Sequence, residues 1–170
     1  VYEQGQYSRQ VLTDGLGRKS LGSSTSIKPY PNCKGIHIPM EAALSIVQER
    51  DIKPGQVEKI VVRYPAEYQG GSESVGLFKP ERVDPKGTVE PRFSTPWGVG
   101  VVVAKRGAWI DDFTEEGVAR IRDEVVPIAR KVVGFPDPRL KVIPGTWGPV
   151  VVEITTTEGG TYSRQLDYCK

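Results

Sequence analysis

The chain has 170 residues, 38% hydrophobic and 26% charged, with a formal net charge of +2, so one domain with one respectable core is expected and neither a nucleic-acid tail nor a strong steering field is. No apolar run is long enough to span a bilayer, and no signal peptide is visible. Cys33 and Cys169 make no C-x-x-C pair, and a lone histidine argues against a closed zinc site or an iron–sulfur cluster built from this chain alone; the expectation is a cytoplasmic domain without cofactor or metal.

Residues 1–26 are polar and rich in Gly, Ser and Gln, and read as a lead-in in which Leu16 and Leu21 pack locally. Gly15-Leu16-Gly17-Arg18 does not follow a hydrophobic strand, so it is not read as a phosphate cradle. The only methionine is Met40 and the chain opens on Val1, from which a domain cut out of a longer polypeptide is expected.

Ile27-Lys28-Pro29-Tyr30-Pro31-Asn32-Cys33-Lys34-Gly35-Ile36-His37 gathers two lysines, a tyrosine, a cysteine and the lone histidine on a stiff Pro-Tyr-Pro frame. Each proline fixes its own φ and pushes the preceding residue to an extended conformation, so Lys28 and Tyr30 stand on rigid backbone. Pro39, with Met40, Ala43, Leu44 and Val47 at helical spacing, predicts a helix from about Ile38 to Arg50. That places His37 near the N-cap or first turn, where the helix dipole favours anions. A carboxylate or phosphate seat is the expectation.

Pro54-Gly55 breaks the chain, and Val57–Tyr64 follows as a strand with Ile60, Val62 and Tyr64 on one face. Residues 66–91 form a long polar loop, expected to cross the surface and overhang a cleft. Ser94 is a suitable N-cap for a second helix reaching about Lys105, and Gly98 and Gly100 within it demand close packing against another element. A third helix is predicted from Glu115 to about Glu124, ended or kinked by Pro127, with a strand over Ala129–Phe135. Val150–Thr157 and Thr161–Tyr168, joined by Glu158-Gly159-Gly160, read as a hairpin with Val150, Val152 and Ile154 facing one way. The elements give one α+β domain over residues 27–170: a mainly antiparallel sheet with about three helices packed on one face.

From the residues alone the chemistry stays divided. Lys28 either holds a substrate carboxylate, acts as a base, or is a solvated lysine. His37 has a side chain suited to acid–base work, and equally to a structural helix cap. Lys34, Arg92 and Tyr30 are candidate substrate-binding residues, against a surface-charge reading for the two cations. Cys33 reads as a small packed residue, since no second histidine exists to activate it, and Trp97 as a core or interface anchor.

The run KPYPNCKGIH resembles the motif that opens the smaller domain of the MmgE/PrpD family, which includes 2-methylcitrate dehydratases, cis-aconitate decarboxylases and iminodisuccinate epimerases. The likeness extends along most of the chain after Ser26. It implies a lid-like domain inserted in a larger helical domain, a di- or tricarboxylate substrate, chemistry through a carbanion beside a carboxylate, and no metal. It turns Lys28 toward the active-site cleft, puts His37 beside it as a catalytic candidate, and leaves most acid–base residues in the helical domain of a parent that is commonly homodimeric. Trp97 stands where the family usually has an aromatic residue, often tyrosine, so no hydroxyl is available there. The alternative is a stand-alone binding or regulatory α+β module without chemistry.

Overall fold

In a computed structural model of the protein, residues 8–18, 20, 22, 25, 27–70 and 77–169 are described. The elements that carry the fold are α1 (Lys34–Glu49), β1 (Val57–Pro65), α2 (Thr95–Lys105), α3 (Glu115–Ala129), β2 (Val132–Asp137), β3 (Val150–Thr156) and β4 (Thr161–Leu166). A five-residue helical turn, Arg9–Thr13, precedes them. Leu16 is exposed rather than locally packed, and Leu21 lies outside the described residues.

The strands form one sheet in the order β2-β1-β3-β4. Ile60 faces Ile154 and Val62 faces Val152 across an antiparallel pair, and β3 and β4 continue antiparallel. The sheet is mainly antiparallel, as expected, and the remaining pair is the exception: β2 runs parallel to β1, with Ile60 opposite Val132. A parallel neighbour needs a long crossover, and α2 and α3 lie in the one between β1 and β2. Alternation then divides the sheet. Ile60, Val62, Val152 and Ile154 are buried toward the helices, while Lys59, Arg63 and Glu153 take the other face, the last two as an ion pair at 3.5 Å.

All three predicted helices are present, α1 and α3 with shifted ends. α1 starts at Lys34, four residues before the predicted Ile38, and contains Pro39 as its sixth residue. The ring costs only the hydrogen bond to the Gly35 carbonyl, and burial of Ile36, Ile38 and Met40 outweighs that loss. α3 likewise passes through Pro127 to Ala129, where Val125, Val126 and Ile128 are buried. The strand expected at Ala129 consequently begins at Val132. α2 begins as predicted, Ser94 Oγ accepting from the Trp97 backbone N–H at 3.0 Å, and Trp97 is fully buried. The segment read as a surface loop is only partly that, because Leu77 is buried in the core and the Leu77 carbonyl accepts from Thr95 N–H at 2.9 Å. Residues 71–76 of that loop lie outside the described set.

The two glycines of α2 explain its depth. A methyl on Gly98 would lie 2.9 Å from Ile36 Cγ2 and from Met40 Sδ, and one on Gly100 would lie 2.9 Å from Val125 Cγ1 and 3.2 Å from the Val125 carbonyl. α1 and α3 therefore approach the α2 backbone itself. Helix propensity favours alanine over glycine by ~1 kcal/mol, whereas overpacking costs ~1–3 kcal/mol. Gly100→Ala is expected to lose stability on balance, by ~1–2 kcal/mol, because a backbone carbonyl cannot step aside. Gly55→Ala, which meets nothing within 4 Å, is the control; urea unfolding of both variants checks it.

Candidate functional site

The candidate site is built where the Pro-Tyr-Pro segment turns into α1. Cys33 is the N-cap, in extended backbone and without a capping side-chain bond, so the helix start is held from outside. Cys33 N–H donates to the Arg92 carbonyl at 2.8 Å, and Ile36 N–H donates to the Cys33 carbonyl at 2.9 Å. His37 is the fourth helical residue rather than the cap, and its ring turns back toward the loop.

The Asn32 carbonyl is the meeting point. It accepts from Lys28 Nζ at 3.3 Å, and His37 Nε2 lies 3.3 Å from the same oxygen. A carbonyl oxygen can only accept, so Nε2 carries the proton there. The His37 ring is 1% exposed and meets the Tyr30 ring edge-on at 5.4 Å and 88°. Asn32 is itself buried; its Nδ2 contacts Met40 Sδ at 3.0 Å, and its Oδ1 has no partner among the described residues.

A second junction lies one helical turn along α1. Glu41 Oε2 accepts from the Tyr30 hydroxyl at 3.5 Å and from Cys169 Sγ at 3.5 Å. Burial and then the Glu41 charge push the Tyr30 phenol up to about 12 and the Cys169 thiol up to about 12. Neither group is a base or nucleophile at neutral pH; both are pins. Glu41 thus ties the loop and the C-terminal residues to one helix face.

His37 titrates below its ordinary value, chiefly through burial. The Asn32 and Tyr30 carbonyls oppose that, and the Lys28 and Lys34 charges add to it. The ring is consequently neutral at pH 7, and the positive charge at this junction belongs to the two lysines. Lys34 lines a groove of about 70 Å³ with Trp147, Tyr168 and Cys169. Such a groove presents a cation beside an aromatic wall, which suits an anion with an apolar portion.

The structure therefore brings Lys28, Tyr30, Lys34 and His37 together. Tyr30 arrives with its hydroxyl already engaged by Glu41. Arg92 joins through its backbone, while its side chain is exposed. Sequence reasoning missed Asn32, Glu41 and Cys169 as members of the site. Asn32 lies inside the motif and was legible as a turn residue; no sequence signal pairs Glu41 with a cysteine 128 residues away. No group of three or more His, Cys, Asp or Glu is arranged to hold a metal, and no helix is long and apolar enough to cross a membrane, among the described residues.

The family model of the MmgE/PrpD C-terminal domain matches residues 30–170. No curated protein matches the chain.

The site's burial has a pH signature. His37 binds its proton less readily folded than unfolded, where about 6.5 is ordinary, so the unfolded chain takes up the extra proton and stability falls as pH drops below that value. Tyr30 and Cys169 behave oppositely: folded, they keep protons to about 12, while ordinary values are 10.0 and 9.0, so stability falls as pH rises above about 9. Urea-unfolding free energies across pH should show both losses. His37→Gln should flatten the acid limb and leave the alkaline limb in place.

Proposed function

This chain belongs to the MmgE/PrpD family, and we propose that it is the smaller, lid-like domain of a family enzyme acting on di- or tricarboxylates, with dehydration of the 2-methylcitrate type as the favoured reaction. The observation that carries the reading is the convergence of Lys28 and Lys34 on one rigid helix start, over a buried neutral histidine. Removal of water, removal of carbon dioxide and inversion of a centre next to a carboxylate share one demand. Each develops negative charge beside an existing carboxylate, and fixed cations stabilise that charge most where water is excluded. At 4 Å and an effective dielectric of about 20, one such pair is worth ~4 kcal/mol.

In this reading Lys28 engages a substrate carboxylate, Lys34 and Arg92 add positive charge at the rim, and the remaining acid–base groups come from a helical domain of the parent polypeptide. The parent is a cytoplasmic homodimer that needs neither metal nor cofactor. For His37 the burial of the ring favours the holding role: it keeps the Asn32 carbonyl, and through it the Lys28 ammonium, in place. Its alternative role as acid or base requires a ring edge open to substrate.

One observation favours a second reading, a binding or regulatory module without chemistry. The lone histidine is shut in, and the Tyr30 and Cys169 side chains are held protonated.

Three substitutions in the full-length enzyme separate these readings. Lys28→Ala should lower kcat/KM by about 30- to 4,000-fold, equivalent to losing ~2–5 kcal/mol of contact to a desolvated carboxylate, whereas Lys34→Ala should cost much less. Equal small effects would return Lys28 to the solvated surface. His37→Gln should lower unfolding free energy by ~0.5–2 kcal/mol with near-normal turnover. A fall in kcat of about 100-fold or more in a stably folded variant would instead make it the acid or base.

A further inference from the structure

At the end of α1 and α2 opposite the candidate site, the surface carries an apolar pair that the site does not use. Trp109 is 75% exposed and the adjacent Ile110 is 72% exposed. The two helix ends are tied there, Gln48 Nε2 donating to the Arg106 carbonyl at 3.4 Å. The 16 residues of α1 put this corner about 24 Å from the helix start. Single exposed apolar side chains are ordinary; two neighbours on a braced loop are not. The bracing comes from beneath. Asp112 is buried and divides its carboxylate, one oxygen accepting from Lys105 Nζ and the other from the Trp109 backbone N–H at 2.9 Å. Phe113 is fully buried. The Asp111 carbonyl accepts from Thr114 Oγ1 at 2.9 Å and lies so near α3 that a methyl on Gly117 would collide with it. Trp109 and Ile110 are thus held out on fixed backbone, with little backbone freedom left to lose on contact.

The rim of the pair is unusual in its backbone. Among the described residues, the non-glycine residues with positive φ are Asp51, at 50°, and Arg106, at 57°. They pair with each other, Arg106 Nη1 lying 2.9 Å from Asp51 Oδ1. Arg106 caps the end of α2 in a left-handed conformation that glycine adopts at least cost. An arginine held there points to a use for its side chain. The ion pair takes one edge of the guanidinium and leaves its planar face, which suits an indole. Among the described residues the guanidinium seated over a ring is that of Arg50, on Tyr162, so the Arg106 and Trp109 faces are not spent on one another.

We propose that Arg106, Trp109 and Ile110 form a surface on which a second copy of this chain docks. A two-fold contact puts the same patch on both sides, so a patch that carries both members of a complementary pair closes on itself. Arg106 of each copy lies over Trp109 of the other while keeping its own Asp51 at the guanidinium edge. The two Ile110 side chains fill the space near the axis. Because the contact is at the far end of α1, the candidate site stays open on both copies. The homodimer of the proposed function has no assigned meeting surface; this contact supplies one, and it depends on no reading of the substrate.

Sedimentation equilibrium of the 170-residue chain, from about 1 μM to about 1 mM, tests the contact. The wild type should pass from monomer to dimer in that range, and Trp109→Ala should weaken association by about 30-fold or more. Arg106→Gly is the sharper variant. Glycine relieves the left-handed backbone, so urea unfolding should show stability kept or raised, while association weakens by about 10-fold. A wild type that stays monomeric throughout overturns the proposal. So does a dimer that Trp109→Ala leaves unchanged, which moves the meeting surface elsewhere and leaves the carboxylate reading standing. In the full-length enzyme, acrylamide quenching of tryptophan fluorescence, compared between wild type and Trp109→Phe, follows the same ring. Shielding of Trp109 that is lost on dilution together with the dimer supports the second copy. Shielding that persists in a monomeric enzyme gives the surface to the helical domain of the same polypeptide and overturns the contact between copies.

Discussion

One backbone carbonyl, that of Asn32, is the constraint on which the candidate site depends. It accepts Lys28 Nζ from one side and His37 Nε2 from the other, so the loop before α1 is folded back on the helix it starts. Two flanking prolines remove most of the loop's freedom before folding begins, which lowers the entropy lost when the carbonyl is captured. The His37 contact is dry: in the buried pocket around its ring a hydrogen bond is stronger than in water and costly to leave unmade, whereas Lys28 reaches the same oxygen from an exposed position.

That junction needs a fixed helix beneath it, and α1 is fixed by neighbours that approach unusually closely. Ile36 and Met40 lie against the bare backbone of Gly98, one and two turns into the helix whose start carries the site. Val125 reaches Gly100 on the other flank of α2. The three helices are therefore packed through backbone contact at their centre, and the sheet residues Ile60, Val62, Val152 and Ile154 close the core below. At such close packing small displacements are resisted.

The Glu41 junction extends the same logic to the far end of the chain. Tyr30 near one end and Cys169 near the other meet on a single carboxylate oxygen, and the protonated state of both is enforced by burial and by that charge. Tyr168 and Cys169 are thereby part of the site's wall. Trp147 completes it beside the Lys34 groove.

What the sequence determined by itself is what short-range chemistry encodes. Alternation over 57–64, 150–157 and 161–168 marked three of the four strands close to their observed limits, and Ser94 marked the start of α2. The glycines of α2 announced its close packing, and the KPYPNCKGIH run announced the family and brought Lys28, Tyr30, Lys34 and His37 into one segment. Tertiary structure decided the rest. Pro39 and Pro127 sit inside helices because buried apolar neighbours outweigh a lost hydrogen bond, a balance no local pattern contains. β2 joins β1 in parallel because a two-helix crossover returns the chain to that edge. The helix start, the shut-in His37 and the engaged hydroxyl of Tyr30 depend on Arg92, Asn32 and Glu41. Such groups become neighbours only when the core closes, since a hydrogen bond or a cavity wall is set by distance in space and not along the chain.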